Sequence, residues 1–295
     1  MPDFRSGYAC IIGRPNVGKS TLLNSILGQK VAIVTSKPQT TRNRLTGIKT
    51  LPDCQIIFFD TPGIHRPLHR LGEIMVRSAV EAAREVDVLV WVVPPRKPAG
   101  EDLDILEEVR RISKPAVVAI NKIDLVRKDD LLPLIGEFSR LAAFSGIVPV
   151  SAKTGDGVDS LVGVIRGLLP PGPMLYPGDM TTDQAERFIV GEIVREKLME
   201  FTRDEIPHSA AVEVVRWQED GERGLVSIDV NIVVERDSQK GIIIGGRGAM
   251  IKRIGSAARR EIERFLGTRV YLSLWVKVSK DWRQNDRFLR EMGFS

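Results

Sequence analysis

The sequence predicts two domains in series, an α/β domain with a doubly wound, mostly parallel sheet and then a smaller α+β domain. Two observations point to this fold class. Short β-rich segments alternate with longer helical ones up to about residue 170, and the order of elements changes after a proline-rich stretch. The chain has 295 residues, of which 43% are hydrophobic and 27% are charged. That length and composition suit two globular domains, each with its own core.

Five short apolar segments mark the strands of the first domain. In chain order they read YACIIG, QIIFFD, VDVLVWVV, PAVVAIN and GIVPVS. Longer stretches with helical character separate them, among them KSTLLNSIL, residues 101–113 and residues 129–144. Alternation of this kind is typical of a parallel sheet that is covered by helices on both faces.

A proline-rich stretch follows the first domain. The segment LLPPGPMLYPGD holds four prolines and two glycines in twelve residues, a composition that favours a stiff linker over a helix or strand. We therefore predict a first domain over residues 1–170, a linker over 171–180 and a second domain over 181–295.

The second domain begins with a helix and continues with two strands. Apolar residues recur at helical spacing between residues 184 and 203, and alternating strands are predicted over 210–217 and 225–235. A glycine loop, a basic helix and the strand RVYLSLWVKV complete the order α-β-β-α-α-β. This order differs from that of the first domain, so the second domain is not a repeat of the first.

Composition excludes several classes of protein. The longest apolar run, Val86–Val93, contains Asp87 and is too short to span a bilayer, and the first ten residues lack a signal-peptide core. We therefore expect a cytoplasmic protein. Cys10 and Cys54 lie in strand-like segments, where we expect small buried hydrophobic residues and no disulfide.

The loop GRPNVGKS, residues 13–20, matches the phosphate-binding pattern G-x-x-x-x-G-K-[ST] between a strand and a helix. Backbone N–H groups of such a loop hold phosphate oxygens, its lysine reaches the outer phosphates, and its hydroxyl binds Mg²⁺. The predicted phosphate-binding residues are Asn16, Val17, Gly18, Lys19, Ser20, Thr21 and, from the next motif, Gly63.

Three further motifs follow strands and converge on the same nucleotide. DTPG, residues 60–63, supplies Asp60 as a second Mg²⁺ ligand beside Ser20. NKID and SAK follow the next strands, and the Asp124 carboxylate can accept from N1–H and N2–H₂ of guanine, which adenine cannot offer. The predicted guanine-binding residues are Asn121, Lys122, Asp124, Ser151, Ala152 and Lys153.

A second glycine loop, GGRG at residues 245–248, fits the G-x-x-G of a KH domain between two helices. The formal net charge is +5, and residues 241–269 hold seven basic residues against two acidic ones. This localised charge favours a nucleic-acid backbone as the ligand, with Ile242–Ile244 and Ile254 expected beside the bases. The predicted RNA-binding residues are Gly245, Gly246, Arg247, Gly248, Ile251, Lys252 and Arg253.

With these motifs the sequence resembles the TRAFAC-type GTPases, and among them the bacterial Era family over its full length. The resemblance implies a P-loop GTPase domain followed by a type II KH domain, with GTP or GDP and Mg²⁺ bound. It also implies a single-stranded RNA partner, the 3′ end of 16S rRNA in the small ribosomal subunit, a monomeric chain, and loose association with the inner face of the membrane. The switch residues it implies are Thr40, Thr41, Asp60, Thr61, Pro62, Gly63 and Ile64, with Thr41 as a further Mg²⁺ ligand and Thr40 as the less favoured choice.

One position departs from the Ras-like pattern. Those enzymes place a glutamine directly after D-x-x-G to orient the attacking water, whereas this chain has Ile64. Slow intrinsic turnover is therefore expected. By resemblance Asn16 could hold a monovalent cation such as K⁺ beside the phosphates, or it could only stabilise the loop.

The sequence leaves two alternatives to an RNA-binding GTPase switch. One is a nucleotide-gated RNA scaffold with negligible turnover, which Ile64 favours. The other is a GTPase of tRNA modification, because such relatives share the PNxGKS and DTPG elements. The chain lacks a recognisable domain for a redox or one-carbon cofactor, which argues against this second alternative.

Overall fold

The computed structural model describes residues 4–37 and 40–294 of the chain. They fall into two compact units that divide between Asp183 and Gln184, with Thr35–Lys37 and His69–Leu71 grouped with the second unit. No helix in the described part of the chain is both long enough and apolar enough to cross a membrane.

The first unit contains a six-stranded sheet in the order β2-β3-β1-β4-β5-β6. Its strands are β1 (Arg5–Ile12), β2 (Leu45–Leu51), β3 (Cys54–Asp60), β4 (Val88–Val93), β5 (Ala116–Ile120) and β6 (Gly146–Pro149). All neighbouring pairs are parallel except β2 with β3. The predicted mostly parallel sheet is confirmed. Strand β2 was not predicted as a separate element, because its polar and glycine-containing sequence LTGIKTL carries a weak strand signal.

Five helices accompany this sheet. They are α1 (Lys19–Leu27), α2 (Arg70–Arg84), α3 (Glu101–Ile112), α4 (Leu131–Ser139) and α5 (Val158–Leu168). Residues of α2, α3 and α4 form one buried cluster with the sheet around Trp91. Helix α4 is shorter than the predicted 129–144 segment, because residues 128–130 form a 3₁₀ turn before it. Cys10 and Cys54 are free and buried, as predicted.

The proline-rich stretch is hydrogen-bonded to the first unit along its length. Gly172 N–H donates to the carbonyl of Phe4 at 2.9 Å, and the Gln55 side chain accepts from the N–H groups of Leu175 and Tyr176. These bonds give residues 172–176 fixed partners in the sheet domain. The linker assignment for 171–180 stays a prediction.

The second unit contains a three-stranded sheet in the order β7-β8-β9. Its strands are β7 (Ala211–Asp220), β8 (Leu225–Val234) and β9 (Arg269–Val278), and its helices are α6 (Glu186–Phe201), α7 (Ile206–Ser209), α8 (Asp237–Ile244), α9 (Ala249–Leu266) and α10 (Asp286–Glu291). Strand β8 is antiparallel to β7 and parallel to β9. The predicted α-β-β-α-α-β order is confirmed, with short helices α7 and α10 added. Apolar residues of α6, α8 and α9 bury one face of the sheet.

Candidate functional site

The first glycine loop connects β1 to α1 and is closed by its own lysine. Lys19 Nζ donates to the carbonyl oxygens of Gly13 at 3.2 Å and Arg14 at 3.1 Å. Burial lowers the pKa of Lys19 to about 8, against the opposing attraction of Asp60. The predicted phosphate-binding residues 16–21 thus lie in this loop and in the first turn of the helix it opens, where N–H groups point toward an anion.

A buried carboxylate supports the loop from behind. Asp102, at the start of α3, is 2% exposed and accepts from Arg14 Nε at 2.6 Å. Its other oxygen accepts from Arg96 Nη2 at 3.1 Å and from the Ala99 N–H at 3.3 Å. Arg14 therefore connects Asp102 to Lys19, through its side chain at one end and its carbonyl at the other. This contact was not predicted, because Asp102 belongs to no motif and looks in the sequence like an ordinary acidic residue in a first helical turn.

Three predicted metal ligands meet in one place. Ser20 Oγ donates to Asp60 Oδ2 at 2.6 Å, and Thr41 Oγ1 lies 2.8 Å from Ser20 Oγ and 3.2 Å from the same carboxylate oxygen. Asp60 Oδ1 is buried and has no hydrogen-bond partner among the described residues. Two hydroxyls and a carboxylate with one spare buried oxygen match the hard oxygen ligands that Mg²⁺ takes.

The Asp60 carboxylate is buried, and its burial and its neighbours have opposing effects on its pKa. Burial raises its pKa, while Lys19 and the hydroxyls of Ser20 and Thr41 act in the opposite direction. A fully buried carboxylate whose second oxygen lacks a donor is costly unless a cation balances it. The residues present therefore fit a divalent cation.

The segment after Asp60 lies against the phosphate loop. A Cβ on Gly63 would lie 2.6 Å from the Pro15 nitrogen, and the Ile64 N–H donates to the Gly13 carbonyl at 3.2 Å. Thr61 is buried and donates to the Ile11 carbonyl at 2.9 Å. The Ile64 side chain packs against the apolar cluster of the sheet domain. The predicted switch residues Thr40 and Thr41 belong to the stretch TSKPQTTRNR, residues 35–44, of which residues 38 and 39 lie outside the described residues.

Asn121 joins the predicted guanine site to the phosphate loop. Its Nδ2 donates to the Val17 carbonyl at 2.8 Å, and its Oδ1 accepts from the Ala152 N–H at 2.9 Å. Gly18, at φ 100°, gives it room, since a Cβ there would lie 2.3 Å from Asn121 Nδ2. Lys122 Nζ donates to the Asn16 carbonyl at 2.7 Å. The motifs at three strand ends thus form one hydrogen-bonded assembly.

Asp124 and Ser151, two of the predicted guanine-binding residues, are joined by a hydrogen bond. Ser151 Oγ donates to Asp124 Oδ1 at 2.7 Å, and it also accepts from the Thr154 N–H at 3.2 Å. Asp124 is exposed. Its carboxylate is therefore oriented by a hydroxyl and still accessible to a ligand. Lys153, the last predicted residue, is exposed beside it.

The second glycine loop, in the second unit, joins α8 to α9. Gly245, Arg247 and Gly248 all have positive φ, at 70°, 52° and 77°. The loop is closed by backbone bonds, from Gly245 N–H to the Gly241 carbonyl and from Gly248 N–H to the Gly245 carbonyl. A Cβ on Gly246 would meet nothing within 4 Å, so its backbone is open to an approaching chain.

A groove of about 390 Å³ lies between α9 and β9. Its lining combines apolar side chains with two basic ones, a composition that suits bases and phosphates together. The lining residues are Ile251, Lys252, Gly255, Ser256, Arg259, Val270, Tyr271, Leu272 and Leu274. Gly255 permits the close approach, because a Cβ there would already lie 3.3 Å from Leu274.

The structure corrects part of the predicted RNA surface. Ile243 and Ile254 are fully buried in the core of the second unit, so they do not line the groove. Arg253 is absent from the lining, and its guanidinium lies 4.2 Å from the ring centre of Phe201 on α6. Predicted residues Ile251 and Lys252 do line it. The burial of Ile243 and Ile254 overturns their expected place beside the bases, whereas RNA contact by Arg253 stays a prediction.

The contribution of β9 to the groove was also missed. Val270, Leu272 and Leu274 alternate with more exposed residues along this strand, and Tyr271 is 62% exposed. This alternation was visible in the sequence, but it predicts a half-buried strand and not a ligand groove. Only the packing of α9 on the sheet brings the two walls together.

Two sequence families match the chain, one in each unit. Residues 8–122 match a family described as 50S ribosome-binding GTPase, and residues 205–283 match the KH domain family. The chain is 52% identical over 293 residues to GTPase Era of Geobacter metallireducens and 53% identical over 293 residues to that of Geotalea uraniireducens. Each alignment covers 99% of this chain and 98% of the relative.

Solved structures agree with these relatives. Era from Aquifex aeolicus, in a variant bound to GDP·AlF4⁻, aligns with a TM-score of 0.96 at 42% identity, covering 99% of this chain and 100% of that one. A structure of Era in complex with MgGDPNP and nucleotides 1506–1542 of 16S ribosomal RNA aligns with the same score and identity, covering 99% of each chain. With both units matched over nearly the whole length, the chain belongs to the GTPase Era family.

Proposed function

We propose that this chain is a GTP-hydrolysing switch that binds the 3′ end of 16S rRNA and assists assembly of the small ribosomal subunit. The observation that carries the proposal is that one chain brings the motifs predicted to bind a guanine nucleotide together at one edge of a sheet and also holds a basic and apolar groove in its second unit. In support, the Era structure that aligns over 99% of each chain contains MgGDPNP and nucleotides 1506–1542 of 16S ribosomal RNA.

The residues of the nucleotide site divide the work of binding GTP. Lys19 and the loop N–H groups contact the outer phosphates, and the Gly63 N–H faces the γ-phosphate. Asp124 selects guanine, with Ser151 holding one of its oxygens in place. Ser20, Thr41 and Asp60 would hold Mg²⁺, which supplies charge stabilisation to the phosphoryl transfer.

Turnover without a further factor is slow on this proposal. Ile64 packs against the apolar cluster of the sheet domain and cannot orient an attacking water. A charge supplied at the transition state accelerates such reactions by about 10³–10⁵-fold. We propose that this charge comes from a monovalent cation such as K⁺ beside Asn16, from the small subunit, or from both.

The RNA groove would take single-stranded RNA in the manner of KH domains. Gly246 lets the RNA backbone approach, Lys252 and Arg259 contact phosphates, and apolar side chains such as Leu274 contact bases. Arg247, at the tip of the loop, is placed for a further phosphate contact. The family that matches residues 8–122 is described by the 50S subunit, but that match does not include the groove.

The remaining expectations belong to the same proposal. The domains would be residues 1–170 and 181–295 with 171–180 between them, and the chain would act as a monomer in the cytoplasm. Peripheral contact with the inner face of the membrane is implied only by the resemblance, and no residue described here supports it specifically.

Single-turnover GTP hydrolysis tests the enzymatic part. The rate is measured in KCl and in NaCl, each with and without purified small subunits. We expect acceleration in at least one of the three supplemented conditions. A rate that stays at the NaCl value everywhere would support the scaffold alternative, in which GTP only gates RNA binding.

Oligonucleotide binding tests the RNA part. Fluorescence anisotropy with an oligonucleotide of the 16S 3′ terminus, with GDPNP or GDP bound, should give different affinities for the two states. Equal affinities would remove the switch from the proposal. Crosslinking of bound RNA in cells, followed by sequencing, separates 16S rRNA from tRNA as the target, and reads clustered on tRNA would favour the tRNA-modification alternative.

A further inference from the structure

Strand β9 presents an aromatic and basic row on the face of the sheet opposite the helices. Its even-numbered residues pack against the core of the second unit, Val270 being 2% exposed. Its odd-numbered residues therefore point the other way. They read Arg269, Tyr271, Ser273, Trp275 and Lys277, and we call this row the outer stripe.

Two large aromatic side chains of the outer stripe are exposed. Tyr271 and Trp275 are each 62% exposed, although tryptophan is usually well buried on average. They stand four residues apart on one face of a strand, which places them ~13 Å from each other. Rings at that separation can each accept a different base of an extended chain.

The charges of the outer stripe favour a polyanion. Basic residues flank the two aromatic ones at Arg269 and Lys277, and β9 has no acidic residue. Asp229, which lies opposite Ser273 on β8, is within 3.9 Å of the Arg216 guanidinium and so is partly balanced. Exposed rings combined with nearby cations are the means by which proteins bind single-stranded nucleic acid, through stacking and phosphate contacts.

The outer stripe is continuous with the groove. Tyr271 belongs to the outer stripe and also lines the groove between α9 and β9. Strand β9 is an edge strand of the three-stranded sheet, so no further strand stands between the two surfaces. A chain lying in the groove can pass this edge and continue along the outer face.

We propose that the outer stripe extends the RNA-binding surface: single-stranded RNA that leaves the groove passes Tyr271 and stacks a base on Trp275. The inference rests on the proposed function in one respect, that the groove binds RNA. It adds a stacking site on the opposite face of the sheet, outside the G-x-x-G loop, and it commits to RNA over a protein partner because of the basic residues beside the rings.

A length series of oligonucleotides tests the outer stripe. Full-length protein is titrated with 16S 3′-terminal oligonucleotides of about four nucleotides, enough for the groove, and of about 12 nucleotides, enough to pass the edge. Trp275→Ala should lower the affinity for the long oligonucleotide about 10-fold, since stacking contributes about 1–3 kcal/mol per base. Binding of the short one should be unchanged.

Three further variants make the result specific. Trp275→Phe keeps a ring and should retain the affinity, but the quenching of tryptophan fluorescence by the long oligonucleotide should shrink. Lys277→Ala should reduce the dependence on salt by about one ion contact. Val215→Ala, on β7, removes another exposed apolar side chain of the same sheet and should leave the affinity for both oligonucleotides unchanged.

The outcomes separate the two ideas. If the unaltered protein does not bind the short oligonucleotide, RNA binding by the groove fails. If the unaltered protein binds both oligonucleotides and Trp275→Ala binds each of them as tightly as the unaltered protein does, the outer stripe is not part of the RNA path. In that case a protein ligand becomes the better choice for the outer stripe. Equal losses on both lengths would also overturn the inference, because Trp275 would then act through the groove itself.

Discussion

The two glycine loops of this chain follow different sequence patterns and have different surroundings. The loop Gly13–Ser20 is tied by side chains on several sides, by Lys19 to its own carbonyls, by Asn121 at Val17 and by Asp102 at Arg14. In the described part of the chain, no side-chain hydrogen bond reaches residues 245–248. The first loop is fixed before a ligand arrives, and the second relies on backbone bonds alone.

This difference matches what each loop has to bind. A nucleotide is one small ligand with fixed phosphate spacing, so pre-organised N–H groups lose little entropy on binding it. An RNA chain has many conformations and needs an open backbone with room for phosphates at several positions. Rigidity at the first loop and openness at the second are therefore separate adaptations. A substitution in one region, tested in the absence of the other region's ligand, should therefore change the affinity for its own ligand only.

The largest effect is expected at the base-binding end of the rigid region. Asp124→Asn puts an amide donor where a carboxylate accepts, so it opposes the N1–H and N2–H₂ groups of guanine. GTP affinity should fall roughly 10²–10³-fold, and a xanthine nucleotide, which has a carbonyl at C2, should bind better than GTP. Titration with fluorescent nucleotides measures both affinities.

Asp129→Asn is the matched control for that substitution. Asp129 lies five residues further on, where it is exposed and pairs with Arg127 at 3.2 Å. The control should bind GTP as the unaltered protein does. A loss of GTP affinity without any gain for the xanthine nucleotide would mean that Asp124 supports the fold of its loop and does not read the base.

The open loop offers the next largest effect. Gly246→Asp places a negative charge where the RNA backbone approaches, and repulsion should lower the RNA affinity about 10–100-fold. Gly246→Ala is its control, because a Cβ at this position meets nothing within 4 Å and should cost little. Anisotropy with the 16S oligonucleotide measures the affinity. GTP hydrolysis without RNA should be the same in both variants, and a change in it would break the separation of the two loops.

The same contrast explains how far the sequence could be read. The predicted motifs of the rigid region do meet in the structure, because each of them directly follows a strand and the ends of parallel strands meet at one edge. The contact of Asp102 with Arg14 was not predicted, since it joins two side chains that are far apart in the sequence. At the open loop the G-x-x-G motif was recognised, but Ile254 was expected beside the bases and is buried in the core. The sequence alone does not distinguish an apolar helix residue that packs in the core from one that contacts a ligand.

Asp102→Asn tests whether the rigidity of the first loop matters. The amide keeps the shape of the side chain but loses the charge that holds Arg14 and Arg96. GDP should dissociate about 10-fold faster, since hydrogen bonds to a charged group are worth about 1.5–3 kcal/mol and only part of that acts on the loop. Stopped-flow release of a fluorescent GDP measures the rate.

Glu108→Gln supplies the comparison on the same helix. Glu108 pairs with Arg111 at 2.7 Å on the exposed side of α3, and losing that pair should not alter GDP release. The double variant Arg14→Ala with Asp102→Asn should release GDP no faster than Arg14→Ala alone, because both changes break the same contact, that between Arg14 and Asp102. Additive effects, or a lowered melting temperature with normal GDP release, would assign Asp102 to the fold only.

The smallest effect is expected before the helix that leads into the open loop, at the ion pair of Glu235 and Arg283. Arg283 Nε and Nη2 donate to the two carboxylate oxygens at 3.0 Å and 2.6 Å, just before α8 begins. Burial works to raise the pKa of Glu235, but the hydrogen bonds and charge of Arg283 outweigh it, so the pKa lies below its ordinary value. Glu235→Gln should lower the free energy of unfolding by roughly 1–2 kcal/mol at neutral pH.

The pH dependence identifies the cause of that loss. A carboxylate with a lowered pKa in the folded state stabilises the fold above its unfolded pKa of about 4.3, and this contribution is lost as the pH falls through the folded value. Denaturant unfolding of both proteins should therefore give curves that differ at pH 7 and converge in acid. Because Glu235 does not hydrogen-bond to residues 245–248, RNA affinity at pH 7 should not change. A weakened RNA affinity in folded Glu235→Gln would show that the second loop, like the first, depends on an ion pair outside the loop itself.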